Sequence, residues 1–586
     1  MDKKLEELLL TVRKPGRYIG GEWNAVKKVW TDARTTVLLA FPDTYEVGMS
    51  YLGMKILYGI LNDRDDCLCE RVFAPWPDFE KVLRENNISL FSLESRKPIR
   101  EFDIIGFSLA FELGYTNVLN ILDLGGIPVR SSARSDDDPI IIAGGPSCYN
   151  PEPMAEFIDA FIIGDGEEVI AELIDAYKEM RGAGGGVRGK ILKEFAKIKG
   201  VYVPSLYKVE YNNDGTISRF TTAEDGVSAK IEKRIVKDLD KAFYPTKQIV
   251  PNVQIVHDRI AIEIMRGCKH ACNFCQASAT YRPCRERSKE AVLELAKEAY
   301  AMTGYDEISL LSLSSGDYSC IMGVIEELNK EFSKKYVSIS VPSLRIEGIA
   351  KELPDLISKV KKAGLTFAPE AGSEDLRKVL RKDIDIEKLF LAAMESFKRG
   401  WKRVKLYFMI GLPGENEKNI MDIAELVHKI SELKRQVDHK PAAVAVSINA
   451  FVPKPHTPFQ WKAMDRAEEL EGKRTLLRNN MRSRLTELSF HPFKMSYIEA
   501  VLSRGDRRVS DAILGAWKNG ARFDGWQDVF DFNTWASAFR SSGIDADFYV
   551  YRTREMDEVL PWDFIDVGLK KEILLSIFKA CQNPII

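Results

Sequence analysis

Short apolar runs alternate with amphipathic stretches twice along this chain, and that alternation limits the fold more than any other feature. In the first series, residues 36–41 (TVLLAF), 103–108 (DIIGFS), 139–145 (PIIIAGG) and 159–164 (DAFIIG) read as strands buried on both faces. Residues 52–61, 77–86 and 116–124 lie between them and carry helical spacing. The alternation predicts a doubly wound, Rossmann-like α/β domain over 1–199. The glycine-rich stretch 182–189 (GAGGGVRG) predicts a surface loop. From 200 to 258 the pattern turns to β: residues 201–211 and 217–222 flank Asn212-Asn213-Asp214-Gly215, a hairpin turn, and predict a β-rich linker.

Alternation returns over 259–461. Strands are expected at 260–265, 307–312, 337–342, 365–369, 404–410 and 444–451, with helices at 289–302, 351–362 and 384–399 among the gaps. Six such units predict a (β/α) barrel or an incomplete one, whose chemistry belongs at the C-terminal ends of its strands. Residues 462–586, which hold Trp517, Trp526, Trp535 and Trp562, read as a mostly helical region.

Composition excludes several classes. With 84 Lys and Arg against 86 Asp and Glu, the net charge is −2, so nothing draws the whole chain to nucleic acid or anionic lipid. The stretch 473–484 (KRTLLRNNMRSR), with Arg504, Arg507 and Arg508, could meet RNA phosphates. Its acidic neighbours make a solvated helix face the simpler reading, so nucleic acid is not a favoured partner. No apolar run approaches the ~18 residues of a membrane span, and the charged start lacks a signal core, so a cytoplasmic protein is expected. Nine cysteines among 586 residues are too sparse for a disulfide framework, yet three fall between Cys268 and Cys275. In a reducing compartment such a group points to metal.

That group is Arg266-Gly267-Cys268-Lys269-His270-Ala271-Cys272-Asn273-Phe274-Cys275. Three thiolates spaced this way can hold three irons of a [4Fe–4S] cluster and leave the fourth open. Zinc, with His270 or Cys284 as fourth ligand, is the alternative, but structural zinc uses two separated ligand pairs and no second pair is visible. Cys284 and Cys320 are expected to be small buried groups.

CxxxCxxC with Phe274 before its last cysteine resembles the radical S-adenosylmethionine (SAM) superfamily. The resemblance implies a partial (β/α)6 barrel, an open iron that chelates SAM, and one-electron cleavage of SAM to methionine and a 5′-deoxyadenosyl radical. It also implies SAM contacts at successive strand ends. Gly316 and Asp317 stand where the family carries a glycine-rich acidic motif, here as Ser314-Ser315-Gly316-Asp317. Ser343 and Arg345 follow the third strand, Glu370 opens Glu370-Ala371-Gly372-Ser373 after the fourth, and Gly411, Pro413 and Gly414 form the turn after the fifth.

The first domain resembles cobalamin-binding domains of a radical SAM subgroup. Asp43, Tyr45 and Gly48 occupy the D-x-H-x-x-G frame after the first strand, Ser108 ends a middle strand, and Gly144 and Gly145 end a later one. Gly164-Asp165-Gly166-Glu167-Glu168 resembles the segment that closes the domain. Tyr45 replaces the histidine that would ligate cobalt, so cobalamin is expected without a protein nitrogen ligand. The reading is a radical SAM enzyme with a [4Fe–4S] cluster, SAM and cobalamin, methylating an unactivated carbon of an unknown substrate. Electrons would come from a flavodoxin or ferredoxin. The alternatives are a cobalamin-independent rearrangement, cyclisation or methylthiolation, or an Fe–S electron-transfer or assembly module. No catalytic side chain is identifiable from sequence, and the proline-rich stretch 451–461 reads as an exit strand.

Overall fold

The structure, a computed structural model, describes residues 3–31, 34–182, 187–224, 226–342, 365–382 and 384–582. Its first sheet holds β1 (Thr35–Phe41), β2 (Cys67–Phe73), β3 (Ile104–Ser108), β4 (Ile140–Gly144), β5 (Ala160–Ile162) and β6 (Val201–Tyr202). Their spatial order is β2-β1-β3-β4-β5-β6. β1 to β5 run parallel, and β6 closes the edge antiparallel to β5. Because the chain steps from β1 to one side and then crosses to β3 on the other, a crevice opens at the carboxyl ends of these two strands.

Every residue of β1 and β2 is buried, which explains the unbroken apolar run of β1. β2 (CLCERVF) was not expected, because Glu70 and Arg71 interrupt its pattern. The structure resolves the conflict by pairing buried Arg71 with Glu22 at 3.0 Å and Glu94 at 2.6 Å. The expected helices appear as Leu52–Asp63, Pro77–Glu85 and Tyr115–Leu124. Of the expected glycine-rich loop 182–189, Gly182 ends one helix (Glu167–Gly182), Arg188 and Gly189 begin another (Arg188–Phe195), and 183–186 lie outside the described residues.

The hairpin forms from β7 (Tyr207–Tyr211) and β8 (Ile217–Thr222), turning at residues 212–215 as expected. β9 (Ile231–Glu232) reaches forward to pair later in the chain. The second α/β region begins with β10 (Ile260–Glu263). A short antiparallel ladder of β11 (Met265–Arg266) and β12 (Arg285–Glu286) follows and closes the base of the cysteine loop. β10, β13 (Glu307–Leu311) and β14 (Ser338–Ser340) form one parallel sheet. β15 (Leu365–Glu370), β16 (Arg403–Ile410), β17 (Ala443–Ala450) and β18 (Thr486–Phe490) form another. The six expected strands are therefore present. The expected helix at 351–362 lies outside the described residues.

β18 is an addition within the region read as helical. Its TELSF pattern has no fully buried residue, so it carried no core-strand signal. The last strand, β19 (Ile565–Asp566), pairs parallel with β9 and ties the chain's end to the linker. The helices Phe493–Arg504, Val509–Lys518 and Phe532–Ser542 pack back on the first domain, where Val509–Lys518 meets the helix Tyr115–Leu124, in one hydrophobic core with β15–β18. Among the described residues no helix is long and apolar enough to cross a membrane.

Candidate functional site

The cysteine loop leaves β11 and returns at β12, and its two arms close tightly. At Gly267 φ is +92°, and a Cβ there would lie 2.6 Å from the Tyr281 carbonyl oxygen and 3.0 Å from the Cys284 Cα. Only glycine fits this approach. The far side of the loop is held by Asn273, whose backbone N–H donates to the Leu380 carbonyl at 2.9 Å and whose Nδ2 donates to that of Val379 at 2.7 Å. Cys272 is buried, and Cys268 and Cys275 are partly exposed. Burial pushes the Cys275 thiol up, while the backbone N–H groups of Ser278 and Ala277 oppose that shift by favouring thiolate. Three cysteines on one short loop, closed at its base by the β11–β12 ladder and anchored on its far side by Asn273, fit a cluster held by three thiolates. Among the described residues no three His, Cys, Asp or Glu groups gather round one ion position.

Side chains from other strand ends meet this loop. Asp317, in the short turn Ser315–Asp317 after β13, lies 2.8 Å from His270 Nε2 through Oδ2, and its carbonyl accepts from Lys269 Nζ at 2.7 Å. Gly316 sits in the same turn. Glu370 ends β15 with φ +67° and pairs with Lys382 at 2.7 Å. The Lys382 ammonium also stands 5.9 Å from the Phe274 ring centroid. Lys382 belongs to no motif, and no sequence signal marks it. Gly411 and Gly414 adopt φ +83° and +80° around Pro413, and the Gly411 N–H donates to Glu415 Oε1 at 2.8 Å. Ser343 and Arg345 lie outside the described residues.

A cavity of about 440 Å³ opens at the carboxyl ends of the first sheet. Leu39, Gly106, Ile142 and Ile162 of the sheet, with Ile56 and Leu57 of the helix Leu52–Asp63, make an apolar slot. Tyr51, Tyr149 and Tyr281 also line it, with Asp165, Glu263 and Arg266, so the second region supplies one wall. A Cβ on Gly106 would sit 3.5 Å from Ile142 and Leu39, in space the glycine leaves open. Gly145 differs: at φ +119° its Cβ would lie 2.6 Å from the Leu109 carbonyl oxygen, so the backbone requires this glycine.

Of the six residues expected around cobalamin, Ser108, Gly144 and Gly145 line this cavity, whereas Asp43, Tyr45 and Gly48 do not. The one-turn helix Tyr45–Gly48 turns that motif aside. The buried Tyr45 hydroxyl donates to Glu22 at 2.9 Å, Asp43 accepts from Trp526 Nε1 at 2.9 Å, and Gly48 packs on the Phe73 ring. Burial beside Glu22 raises the Tyr45 phenol far above its usual value and keeps it protonated. A wall that sequence reading missed is the ion cluster at Arg266. It meets Glu263 at 2.9 Å, Asp165 at 3.1 Å and Glu167 at 2.7 Å, and Arg285 meets Asp165 at 2.6 Å.

Of the cations considered for RNA, Arg478, Arg482 and Arg484 are exposed, and others are engaged inside the fold. Lys473 pairs with Glu415 and Asp465, Arg507 with Glu152, and Arg508 with Asp506, while Arg504 is fully buried.

Two family models match the chain: the radical SAM superfamily over residues 262–427, and the N-terminal region of radical SAM proteins over residues 53–204. The chain belongs to the radical SAM superfamily and is a radical SAM enzyme, with a [4Fe–4S] cluster and SAM as its cofactors. An uncharacterized protein of Methanocaldococcus jannaschii is 27% identical over 475 residues, covering 81% of this chain and 89% of the relative. A tRNA-2-methylthio-N(6)-dimethylallyladenosine synthase of Fusobacterium nucleatum is 25% identical over 287 residues, 44% of this chain and 60% of its own length. A solved structure of the radical SAM methyltransferase TsrM from Kitasatospora setae, with cobalamin and a [4Fe–4S] cluster bound, overlaps 71% of this chain and 75% of that one. The overlap has a TM-score of 0.47 and 14% identity.

Proposed function

We propose that this radical SAM enzyme methylates an unactivated carbon, with cobalamin housed in the cavity of the first sheet. When bound, the cluster and SAM supply a hydrogen-abstracting radical, and cobalamin supplies a methyl group. The observation that carries the reading is the cavity itself. Its apolar slot, kept open by Gly106, suits a nucleotide tail, and Glu263 and Arg266, on the strands that lead into the cysteine loop, line the same cavity.

The chain's own residues then have defined tasks. Cys268, Cys272 and Cys275 hold the cluster. Asp317 and Glu370, with Gly316 and the Gly411–Gly414 turn, border SAM, and Lys382 fixes the Glu370 carboxylate. Ser343 and Arg345 are proposed SAM contacts on motif position alone. Arg266 holds the cysteine loop against Asp165 and Glu167 of the first domain. Tyr45 serves packing, since its protonated phenol faces Glu22. A flavodoxin- or ferredoxin-type reductant, a cytoplasmic setting and domain limits near 199, 258 and 461 complete the proposal.

Anaerobic reconstitution should load about four irons per chain. Alanine at Cys268, Cys272 or Cys275 should abolish that chromophore, and alanine at Cys284 should not. Hydroxocobalamin should bind with its own base displaced, and Gly106→Leu should prevent this while iron content holds. Failure of the wild-type protein to take up cobalamin with cluster and SAM in place would end the methyl-transfer reading.

A further inference from the structure

A second cavity, of about 590 Å³, lies between the cysteine loop and the β9–β19 pair. Cys268, Lys269 and Arg282 face it from the loop, Lys199, Glu232 and Lys233 from the linker, and Asp566 from the chain's end. Its four cations are not alike. Lys199 is paired with Glu232, and Lys269 with Glu286 at 2.7 Å. Arg282 and Lys233 have no carboxylate within 4 Å among the described residues.

Lys233 is 5% exposed, so it is a cation taken out of water. Its Nζ donates to the carbonyl oxygens of Ala279 at 2.8 Å and Thr280 at 3.3 Å, which are dipoles and not a counter-charge. Burial pushes it down to about 8, Arg285 and Arg282 push the same way, and Asp165 and Asp566 oppose them. Two carboxylates line the cavity: Glu232 is paired with Lys199, and the Asp566 Oδ1 already accepts from the Gly568 N–H at 2.7 Å. Two like charges facing one cavity, one of them buried, are costly until an anion joins them. Such arrangements concentrate at binding sites.

We propose that this cavity binds the anionic group, carboxylate or phosphate, of a small-molecule substrate. Arg282 offers a planar fork of donors and Lys233 a point charge, a combination suited to either oxyanion. The volume falls within the range of small-molecule sites. Cys268 forms part of the same wall, so an anchored substrate would lie beside the cluster loop. This assignment rests on reading that loop as the cluster site.

The test is calorimetric titration of the full-length, cluster-reconstituted protein with inorganic phosphate and, separately, with succinate. Binding of one probe and not the other names the source of the charge. Arg282→Gln should weaken that probe about tenfold, the loss of one charge-assisted contact. Its side chain is partly exposed, so iron content should hold in the variant. Lys233→Met should weaken binding as well, and Arg282→Gln decides the matter if that buried substitution fails to fold. Equal affinity in wild type and Arg282→Gln, or no heat from either probe at millimolar concentration, overturns the site. SAM cleavage by the wild-type protein without substrate is measured in parallel. If cleavage fails while phosphate or succinate still binds at Arg282, the functional reading is at fault and not the anion site.

Discussion

Among single side chains, two buried groups pull acid stability in opposite directions. Burial raises Asp524 to about 6, although Thr116 and Trp535 donate to its two oxygens at 2.6 and 2.9 Å. Stability from its protonated form is full below the usual carboxylate value and is lost as pH rises through about 6. Burial lowers His456 to about 4, and its Nε2 lies 2.9 Å from the Tyr149 carbonyl oxygen. Its contribution is full above the ordinary imidazole value and is lost as pH falls through about 4. Each shift corresponds to roughly 3 kcal/mol, so the two nearly cancel between pH 4 and 6. Asp524→Asn removes one side of the balance. Relative to wild type, the variant should lose roughly 3 kcal/mol between pH 7 and pH 4 in urea titrations. A constant difference across that range would show that Asp524 titrates normally. Residue-level legibility followed covalent spacing. The three cysteines announce themselves because iron demands thiolates close together, whereas Lys382 reaches Glu370 through the turn of the chain and leaves no local pattern. Tyr45 shows the converse: its motif position was readable, but the helix turn that points it at Glu22 was not.

Between elements, the decisive contact is the one that joins β11 to the loop after β5. Arg266 bridges carboxylates from β10 and from residues 165–167, and all of these side chains are largely buried. Burial alone would raise Asp165, but Arg266 and Arg285 hold it below its ordinary value. Arg266→Met keeps the bulk of the side chain and removes the charge that three carboxylates share. Breaking a buried pair on one side costs about 3–5 kcal/mol. The midpoint of urea unfolding should fall accordingly, and an unchanged midpoint would show that water already screens the cluster. The same physics explains which strands were hidden. β2 carries a buried ion triad and β18 a half-exposed edge pattern, so neither shows the apolar run that revealed β1, β3 and β4. Alternating charge and burial is a tertiary solution that no window of sequence displays.

Across the whole molecule, packing disregards the order of the chain. One core runs from the first sheet through β15–β18 to the helices between 493 and 550, and polar contacts reinforce it. Thr116 meets Asp524, Arg507 meets Glu152, and buried Lys454 lies between Glu112 and Glu499 at 3.1 and 2.8 Å. The cavity at the carboxyl ends of the first sheet is therefore walled by parts far apart in sequence: Gly106 and Ile142 from the first region, Arg266, Tyr281 and Leu311 from the second. A ligand seated there stabilises every wall at once. At a hundredfold excess over its dissociation constant it adds about 2.7 kcal/mol to whatever unfolds with the site. Scanning calorimetry with hydroxocobalamin should shift one cooperative transition upward as a unit, and Gly106→Leu should show no shift. A thermogram in which only part of the heat moves would mean that the first sheet unfolds apart from the cysteine-loop region. The cavity would then be a property of the first sheet alone, and the shared wall at Arg266 could not register the two cofactors against each other.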